Sequence, residues 1–542
     1  MASILVVASS FLLILLSTGT QSYGTSPEML LKNRGKVKEM FMHAYDSYMT
    51  YAYPLDELQP LTCSGKDTWG SFSLSLIDSM DTLLAMGNVS EFQSAYNRVI
   101  SKPSFDIDVN TSVFEANIRV VGGLLSSHLL SHVGQVPLAP GWPCEGPLLR
   151  MAESLARRLL PAFDTPTGLP YGTVNLRYGV PPQETPITCT ASCASFLVEF
   201  GTLSRLTGDP IFETTALKAA RAIWAKRSSI GLVGNHINVL TGKWTATEFT
   251  MGNYIDSYLE YLVKGGILFG HKDLLDMFKE IFVPIKKYTD HNSWYVWVDK
   301  ENGKVSYPYY EALDSYWPGL LSLVGNIKDA KKNIFNHFLV WRSLGGLPEM
   351  LNIITGETVT GREAYRLRPE LAESLYYLYQ ATGNPIFISM GEHMINSINN
   401  IARVHCGFAT VRSALDHTLS DRMESYFLAE TLKYLYLLFD PNHFLSLDPT
   451  KAVNVTETLR VPGSQHFLYN KYNRILKDGC SVGNSGYIFS TEAHPIDVGA
   501  LYCCRRKWKD GMVEGDGFSS QDGCQAQTFE SRLELFTAGI SE

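Results

Sequence analysis

Between Arg366 and Phe387 the chain reads RLRPELAESLYYLYQATGNPIF, with Arg368, Glu370 and Glu373 inside two turns of any helix formed there. Pro369 suits a first helical turn, and acids favour the positive N-terminal end. Leu371, Leu375 and Leu378 recur at spacings of four and three, and Gly383 with Pro385 stops the pattern. The segment therefore predicts a helix that opens with two carboxylates beside a guanidinium. Such a group can cap the helix and do nothing more, or it can face a pocket and handle protons and hydroxyls.

The same arrangement returns along the chain. An acid, then Ser, then an apolar residue occurs at Asp78-Ser79-Met80, Asp256-Ser257-Tyr258, Asp314-Ser315-Tyr316, Glu373-Ser374-Leu375 and Glu424-Ser425-Tyr426. From 256 onward the spacings are 58, 59 and 51 residues. Acids also sit in VFEANIRVVGGLLSSHLL around Glu115 and CASFLVEFGTLSRLTGDP around Glu199, and LTGDPIF is nearly repeated by ATGNPIF. A unit of about 50–60 residues holds two helices and their loops. Seven acid-bearing helices beginning near 74, 113, 193, 255, 311, 369 and 424 predict helical hairpins closed in a ring, with the acids gathered at one mouth. The stretches 231–244 and 478–497, rich in Gly, Asn and β-branched residues, read instead as turns and short strands.

Several carboxylates, aromatics and arginines around one pocket suit a sugar. Cleaving a glycosidic bond takes one carboxylic acid to protonate the leaving oxygen and a second carboxylate to activate water or attack directly. The strand-like FSTEAHP adds Thr491 and Glu492 near His494, and the hydroxyl plus carbonyl of one threonine make a ligand pair for a hard cation, calcium rather than zinc.

Composition bounds the rest. The 542 residues are 45% hydrophobic and 12% aromatic with a net charge of -8, so a large core is expected and, with no basic stripe, nucleic acid is not an expected partner. An apolar run from Ile4 to Leu16 reads as a secretory signal peptide over 1–24, with a signal anchor as the alternative. The sequons at Asn88, Asn110 and Asn454 fit passage through the secretory pathway. There are nine cysteines, so an oxidising compartment leaves at least one outside any internal pairing. The expected organisation is a catalytic domain over 25–500, an irregular insert at about 441–480, and a flexible, charged, Gly-rich tail over 501–542.

Seven segments occur in order that resemble a known family: DTWGSFSLSLIDSMDTLLAMG, VFEANIRVVGGLLS, TPTGLPYGTVNL, DSYLEYLVKG, LRPELAESLYYLY, RMESYFLAETLKYLYLLFD and FSTEAHP. Together they resemble glycoside hydrolase family 47, the class I α-mannosidases, and YIFSTEAHPID resembles that family's branch acting in endoplasmic reticulum (ER) degradation. The resemblance implies an all-α (α/α)7 barrel of helical hairpins with a short β-hairpin plugging one end. It implies a calcium-dependent, inverting exo-α-1,2-mannosidase. Carried over by motif, Glu115 matches the general acid, Asp256 a third catalytic acid and Glu370 the general base. Arg119, Arg368, Glu373, Glu430 and Glu492 match sugar-binding positions, as do Asp78 and Asp81 in a D-x-x-D element. Thr491 matches the calcium ligand. The family's processing enzymes carry a histidine before the Pro-Gly of the fifth hairpin; YYEALDSYWPGLL has none.

The branch resemblance further implies a Cys63–Cys406 disulfide and an ER-lumenal enzyme trimming high-mannose N-glycans of misfolded glycoproteins, from nine mannoses to eight. It implies a thioredoxin-like or disulfide-isomerase-like oxidoreductase as partner through an intermolecular disulfide, for which Cys524 is the exposed candidate. Two rival readings remain: a lectin-like pseudoenzyme that binds mannose without cleaving it, and an all-α scaffold whose acids only cap helices.

Overall fold

The computed structural model describes residues 26–102, 104–446, 474–475, 481–483 and 486–508. Two kinds of helix alternate along them. One kind carries an apolar stripe: in Pro27–Ser47 the buried Val37, Met40, Phe41 and Ala44 recur at spacings of three and four, and in Lys272–Tyr288 so do Leu274, Phe278, Ile281 and Ile285. The other kind is buried on every side, as in Leu74–Ala85, where all residues are buried. A helix hydrophobic all round belongs inside, so the two kinds form two layers.

Numbered in chain order, the outer layer is α1 (Pro27–Ser47), α3 (Val89–Ile100), α5 (Pro147–Leu159), α7 (Ile211–Trp224), α9 (Lys272–Tyr288), α11 (Ile327–Leu344) and α13 (Pro385–Ile401). The inner layer is α2 (Leu74–Ala85), α4 (Val113–Glu115 running through Ala116–Val121 to Gly122–Leu129), α6 (Leu197–Thr207), α8 (Asp256–Phe269), α10 (Trp317–Leu323), α12 (Glu370–Thr382) and α14 (Leu432–Leu438). Each inner helix, with its lead-in turn, touches the next, and α14 with its lead-in returns to α2. Each inner helix also packs on the outer helix that follows it, and α14 packs on α1. The described helices thus make the (α/α)7 barrel. The seven acid-bearing helices expected from sequence are its inner ring. The stop signals act as read: Gly208 and Gly383 end α6 and α12 in the left-handed conformation, with φ of 81° and 61°.

The repeated serine has a packing role. Ser257 Oγ meets Ser195 Oγ at 2.7 Å, Ser374 Oγ bonds the Ser315 carbonyl, and Ser425 Oγ bonds Asp78, each across neighbouring inner elements. Small hydroxyls let inner backbones approach closely while keeping buried polar atoms paired. At Gly122 the approach is closer still, because a Cβ there would lie 2.8 Å from the His494 ring.

Turns from inner to outer helices are short except between α4 and α5, which are joined by residues 130–146. The returns from outer to inner helices are long, carry short strands, and rim the end where the inner helices begin. Strands from successive returns pair: Asn110–Ser112 with Thr173–Asn175, Ile187–Cys189 with His236–Asn238, Glu248–Phe249 with Trp297–Asp299, and Tyr309–Glu311 with Met350–Asn352. Single bridges join Tyr365 to Val411 and Met423 to Leu58. Thr111 Oγ1 donates to the Trp69 carbonyl, which links the first return to the second. The rim is therefore a closed belt. In the first return, the buried Asp56 carboxylate accepts backbone N–H groups from Thr68 through Phe72 and from Leu74, fixing the approach to α2.

From the opposite end a hairpin, Tyr487–Phe489 with Pro495–Asp497, enters the ring, as expected for 478–497. Residues 501–508, assigned from sequence to a flexible tail, pack on the barrel instead: Cys504 is bridged to Cys144, and Trp508 Nε1 donates to the Arg205 carbonyl at 2.9 Å with its ring under the Arg205 guanidinium. The expected signal peptide, most of the insert at 441–480, Asn454, Cys480, Cys524 and the remainder of the tail lie outside the described residues.

The Cys63–Cys406 disulfide is present and joins the first return to the last, across 343 residues of sequence. It staples the seam where the belt closes. Replacing both cysteines by serine should lower stability by roughly 3–5 kcal/mol on loop-closure grounds. The check is thermal unfolding together with amide exchange, with the loss of protection concentrated at 57–66 and 407–423. Unchanged exchange at that seam would contradict the assignment.

Candidate active site

Three helix starts deliver three carboxylates to the rimmed end. Asp256 and Glu370 are the first residues of α8 and α12, and Glu115 is in the first turn of α4, where its N–H bonds the capping Ser112 hydroxyl at 3.2 Å. The N-terminal dipoles of inner helices favour negative charge there. All three line one cavity of about 330 Å³, together with Arg119, Arg368, Glu373, Glu430, Thr491 and Glu492. These nine expected site residues are brought together from α4, α8, α12, the lead-in to α14 and the hairpin.

Asp78 and Asp81 are not in the cavity wall. Expected to contact substrate, they lie further along α2, fully buried behind the site. Asp81 pairs with Lys433 Nζ at 2.7 Å and His494 Nδ1 at 2.8 Å, and Asp78 faces His494 Nε2 at 3.2 Å and Arg119 Nη1 at 3.8 Å. Their place is support. Of the five acid-Ser repeats, Asp256 and Glu373 reach the cavity. Asp314 caps its own turn by accepting the Glu311 N–H at 2.9 Å, and Glu424 pairs with Arg422 at 2.6 Å. Capping and facing a pocket were competing readings of one motif, and the chain places it in both settings.

Two arginines stand on the wall, each held by acids. Arg119 pairs with Glu115 at 2.7 Å and with Glu492, and lies 5.4 Å from the Tyr426 ring centre. Arg368 makes a two-pronged pair with Glu349, at 2.5 and 2.8 Å, and lies 3.9 Å from Glu370. Arg119 and Glu430 both sit in π-type turns, Ala116–Val121 and Phe427–Thr431, whose wider winding re-aims side chains.

The hairpin apex is the cavity floor. Lys433 Nζ donates to the Ala493 carbonyl at 2.8 Å, and Lys264 Nζ, paired with Glu260 and with Glu373 at 3.4 Å, reaches the Ser490 carbonyl at 3.5 Å. Between them, Thr491 Oγ1 donates to Glu260 at 2.9 Å. Tyr261 OH donates to Glu199 at 2.6 Å and accepts the Thr491 N–H at 3.4 Å.

Burial decides the protonation. It raises Asp256 to about 7 and Glu370 to about 8, with Arg368 pulling both downward. It raises Glu373 to about 7 against the opposing charge of Lys264. Glu430 is driven well up by burial and by the neighbouring Glu492 carboxyl. For His494 burial works against the charge, but Asp81 and Asp78 outweigh it and raise it to about 9. Asp81 is held down near 2 by Lys433 and His494 despite its burial.

Sequence reasoning missed several functional supports. Glu260 was legible as an acid one helical turn after Asp256. Lys264 and Lys433 were legible as lone lysines inside apolar helices. Glu349 had no signal, since it sits in an unpatterned loop. Tyr254, on the cavity wall with φ of 80° and its ring 4.6 Å from that of His236, had none either. Of the sequons, Asn110 is exposed, while Asn88 caps α3 by accepting the Glu91 N–H.

The floor suits a hard cation. Thr491 offers oxygen, and its neighbours Glu260, Glu373, Glu430 and Glu492 add carboxyl oxygens, the ligand type a hard cation takes. Among the described residues no three His, Cys, Asp or Glu side chains converge as a ligand set of their own.

A closed α/α barrel with an acid-lined pocket at its mouth and a hairpin for a floor is the architecture of a glycosidase. The chain belongs to glycosyl hydrolase family 47, whose profile matches residues 40–458. It is 55% identical over 483 residues to ER degradation-enhancing alpha-mannosidase-like protein 2 of Mus musculus, covering 89% of this chain and 80% of the relative. It is 44% identical over 463 residues to Alpha-mannosidase I MNS4 of Arabidopsis thaliana, covering 84% and 74%. Among solved structures, the alpha-1,2-mannosidase from Trichoderma reesei superposes with a TM-score of 0.72 at 25% identity, covering 86% of this chain and 99% of that one.

Glu199 supplies a test of the electrostatics. It is fully buried, accepts from Tyr261 and, at 3.0 Å, from Asn117, and burial outweighs both to raise it to about 8 from 4.5. The folded chain thus keeps a proton that the unfolded chain sheds. The stability contributed by the protonated group is complete below 4.5 and is lost as pH climbs toward 8, at up to about 1.4 kcal/mol per pH unit. Glu199→Gln should flatten the fall in melting temperature between pH 5 and 8. A slope identical to that of the unmodified protein would refute the protonated state.

Proposed function

We propose that this chain is an inverting exo-α-1,2-mannosidase of the ER lumen. It would remove a terminal mannose from high-mannose N-glycans on misfolded glycoproteins, from nine mannoses to eight, committing them to degradation. The names of its relatives support the substrate class and the setting. The observation that carries the reading is the meeting of Glu115, Asp256 and Glu370 around one cavity that Thr491 also lines. No helix among the described residues is long and apolar enough to cross a membrane.

In this reading Glu115 gives a proton to the leaving glycosidic oxygen. Arg119, locked between Glu115 and Glu492, fixes the orientation of that acid. Glu370 takes the proton of the attacking water, on the opposite face of the ring. Inversion requires the two carboxyls to stand roughly 6.5–9.5 Å apart, leaving room for the water. Burial favours the protonated form of Glu370, and the neighbouring Arg368 guanidinium favours the ionised form that a base needs. Asp256 lines the same cavity as the third acid. Glu373, Glu430 and Glu492 accept sugar hydroxyls at the floor. Thr491, through hydroxyl and backbone oxygen, would hold calcium, which when bound supplies positive charge and coordination for hydroxyls. Glycans at Asn88, Asn110 and Asn454 belong to this setting, as does a disulfide-linked oxidoreductase partner. Among the described residues Cys189 and Cys193 are free thiols inside the fold.

Release of mannose from a nine-mannose glycan and from a denatured glycoprotein, with the oxidoreductase and calcium supplied, tests the activity. Glu115→Gln and Glu370→Gln should each lower kcat by at least 10²-fold, the usual scale for a general acid or base, with melting temperature nearly unchanged. Glycan binding without any release from the unmodified protein would instead make it a lectin.

Calcium has its own readout. Adding calcium at about 100 times its Kd should stabilise the fold by ~2.7 kcal/mol. Chelation should reverse the shift in melting temperature, and Thr491→Ala should abolish it. A calcium shift that survives in Thr491→Ala would move the ion elsewhere.

A further inference from the structure

Apart from the cavity, the mouth carries a second feature suited to sugar. Trp297, Tyr307 and Tyr309 form one aromatic cluster on the rim. Trp297 and Tyr307 are cross-strand partners, so both point to the same face of their sheet, and Tyr309 follows two residues on. The rings of Tyr307 and Tyr309 lie parallel, 5.3 Å apart, and both stand edge-on to the indole of Trp297, at 5.9 and 6.2 Å. Buried aromatics of this kind would be core. Tyr307 is instead 45% exposed, as is Val305 beside it.

The strands that carry the cluster lead along the chain to residues of the cavity wall. The strand bearing Trp297 pairs with Glu248–Phe249, which runs directly into Asn253 and Tyr254 on the cavity wall. Tyr309 begins the strand that runs into Leu313 and Tyr316, also on that wall. A ligand that fills the pocket with one end and is several sugars long would cross this part of the rim.

We propose that Trp297, Tyr307 and Tyr309 are a remote sugar subsite, taking a mannose of the same glycan several residues from the one in the pocket. This rests on the mannosidase reading above. The chemistry matches a sugar: flat rings take the apolar C–H face of a hexose, and tyrosine hydroxyls offer hydrogen bonds. An apolar peptide would call for a wider dry surface than two stacked phenols present. The subsite does not touch the scissile bond. It adds equal binding to ground state and transition state, so its loss raises KM and leaves kcat alone.

The test compares a nine-mannose oligosaccharide with α-1,2-mannobiose, which is too short to reach the rim. In Tyr307→Ala/Tyr309→Ala, KM for the large glycan should rise roughly tenfold, the effect of about one lost aromatic contact. Its kcat, and both constants for mannobiose, should stay as they were. Tyr307→Phe should keep most of the affinity. Tyr307→Ala alone serves if the double variant does not fold. Equal effects on the two substrates, or none on either, would overturn the subsite.

Should the unmodified protein release no mannose, the mannosidase reading fails, and calorimetric titration with the nine-mannose glycan decides this one separately. Tyrosine-dependent glycan binding supports the subsite. Tyrosine-independent glycan binding, or tyrosine-dependent binding of an unglycosylated unfolded polypeptide with no glycan binding, refutes it.

Discussion

Two buried lysines give the pocket its floor. Lys264 on α8 and Lys433 on α14 each neutralise an acid and at the same time donate toward the hairpin backbone, on either side of Thr491. His494, charged between Asp78 and Asp81, ties the same hairpin to α2. Isolated charges at this depth would be expensive, and each is tolerable only because its partner is already there. The constraint runs both ways. The hairpin is tied to the ring through these charges, and Lys433 and His494 hold the Asp81 carboxyl low despite its burial. The place of Thr491 and Glu492 in the cavity follows from that mutual dependence.

The mouth is organised by a different force. Around it, backbone pairing between successive returns makes a belt whose seam is closed by the Leu58–Met423 bridge and the Cys63–Cys406 disulfide. Hydrogen bonding between returns fixes their positions relative to one another, so side chains from distant parts of the sequence face one cavity. The division is between an inner ring that supplies carboxylates at helix starts and a belt that supplies walls and the arginine clamp of Glu349. Family membership fits this division, since the matched region spans both the ring and the belt.

Much of this was legible beforehand, for specific reasons. The inner helices announced themselves because helices buried all round need continuous apolar runs, and their acids because a helix start tolerates negative charge. The hairpin was legible from Gly, Asn and β-branched residues around STEAHP. Asp78 and Asp81 were misread because a motif match says which residues matter and not whether they touch ligand or hold something that does. The ordered segment at 501–508 was misread because charge signals exposure, while its anchors, the Cys144–Cys504 disulfide and the Trp508 contacts with Arg205, join residues far apart in sequence and have no local pattern.

By itself the sequence determined periodicity, and therefore the alternation of inner and outer helices, the acids at their starts and the kind of chemistry they can do. Only the tertiary structure decided which of those acids share a cavity, which are spent on pairing with Lys433 and His494, and how far burial moves their protonation. The physical reason is range. Helix propensity, capping and amphipathicity act over three or four residues and are written locally. Desolvation and charge pairing depend on neighbours hundreds of residues away, as Asp81 depends on His494, and those neighbours exist only once the ring has closed.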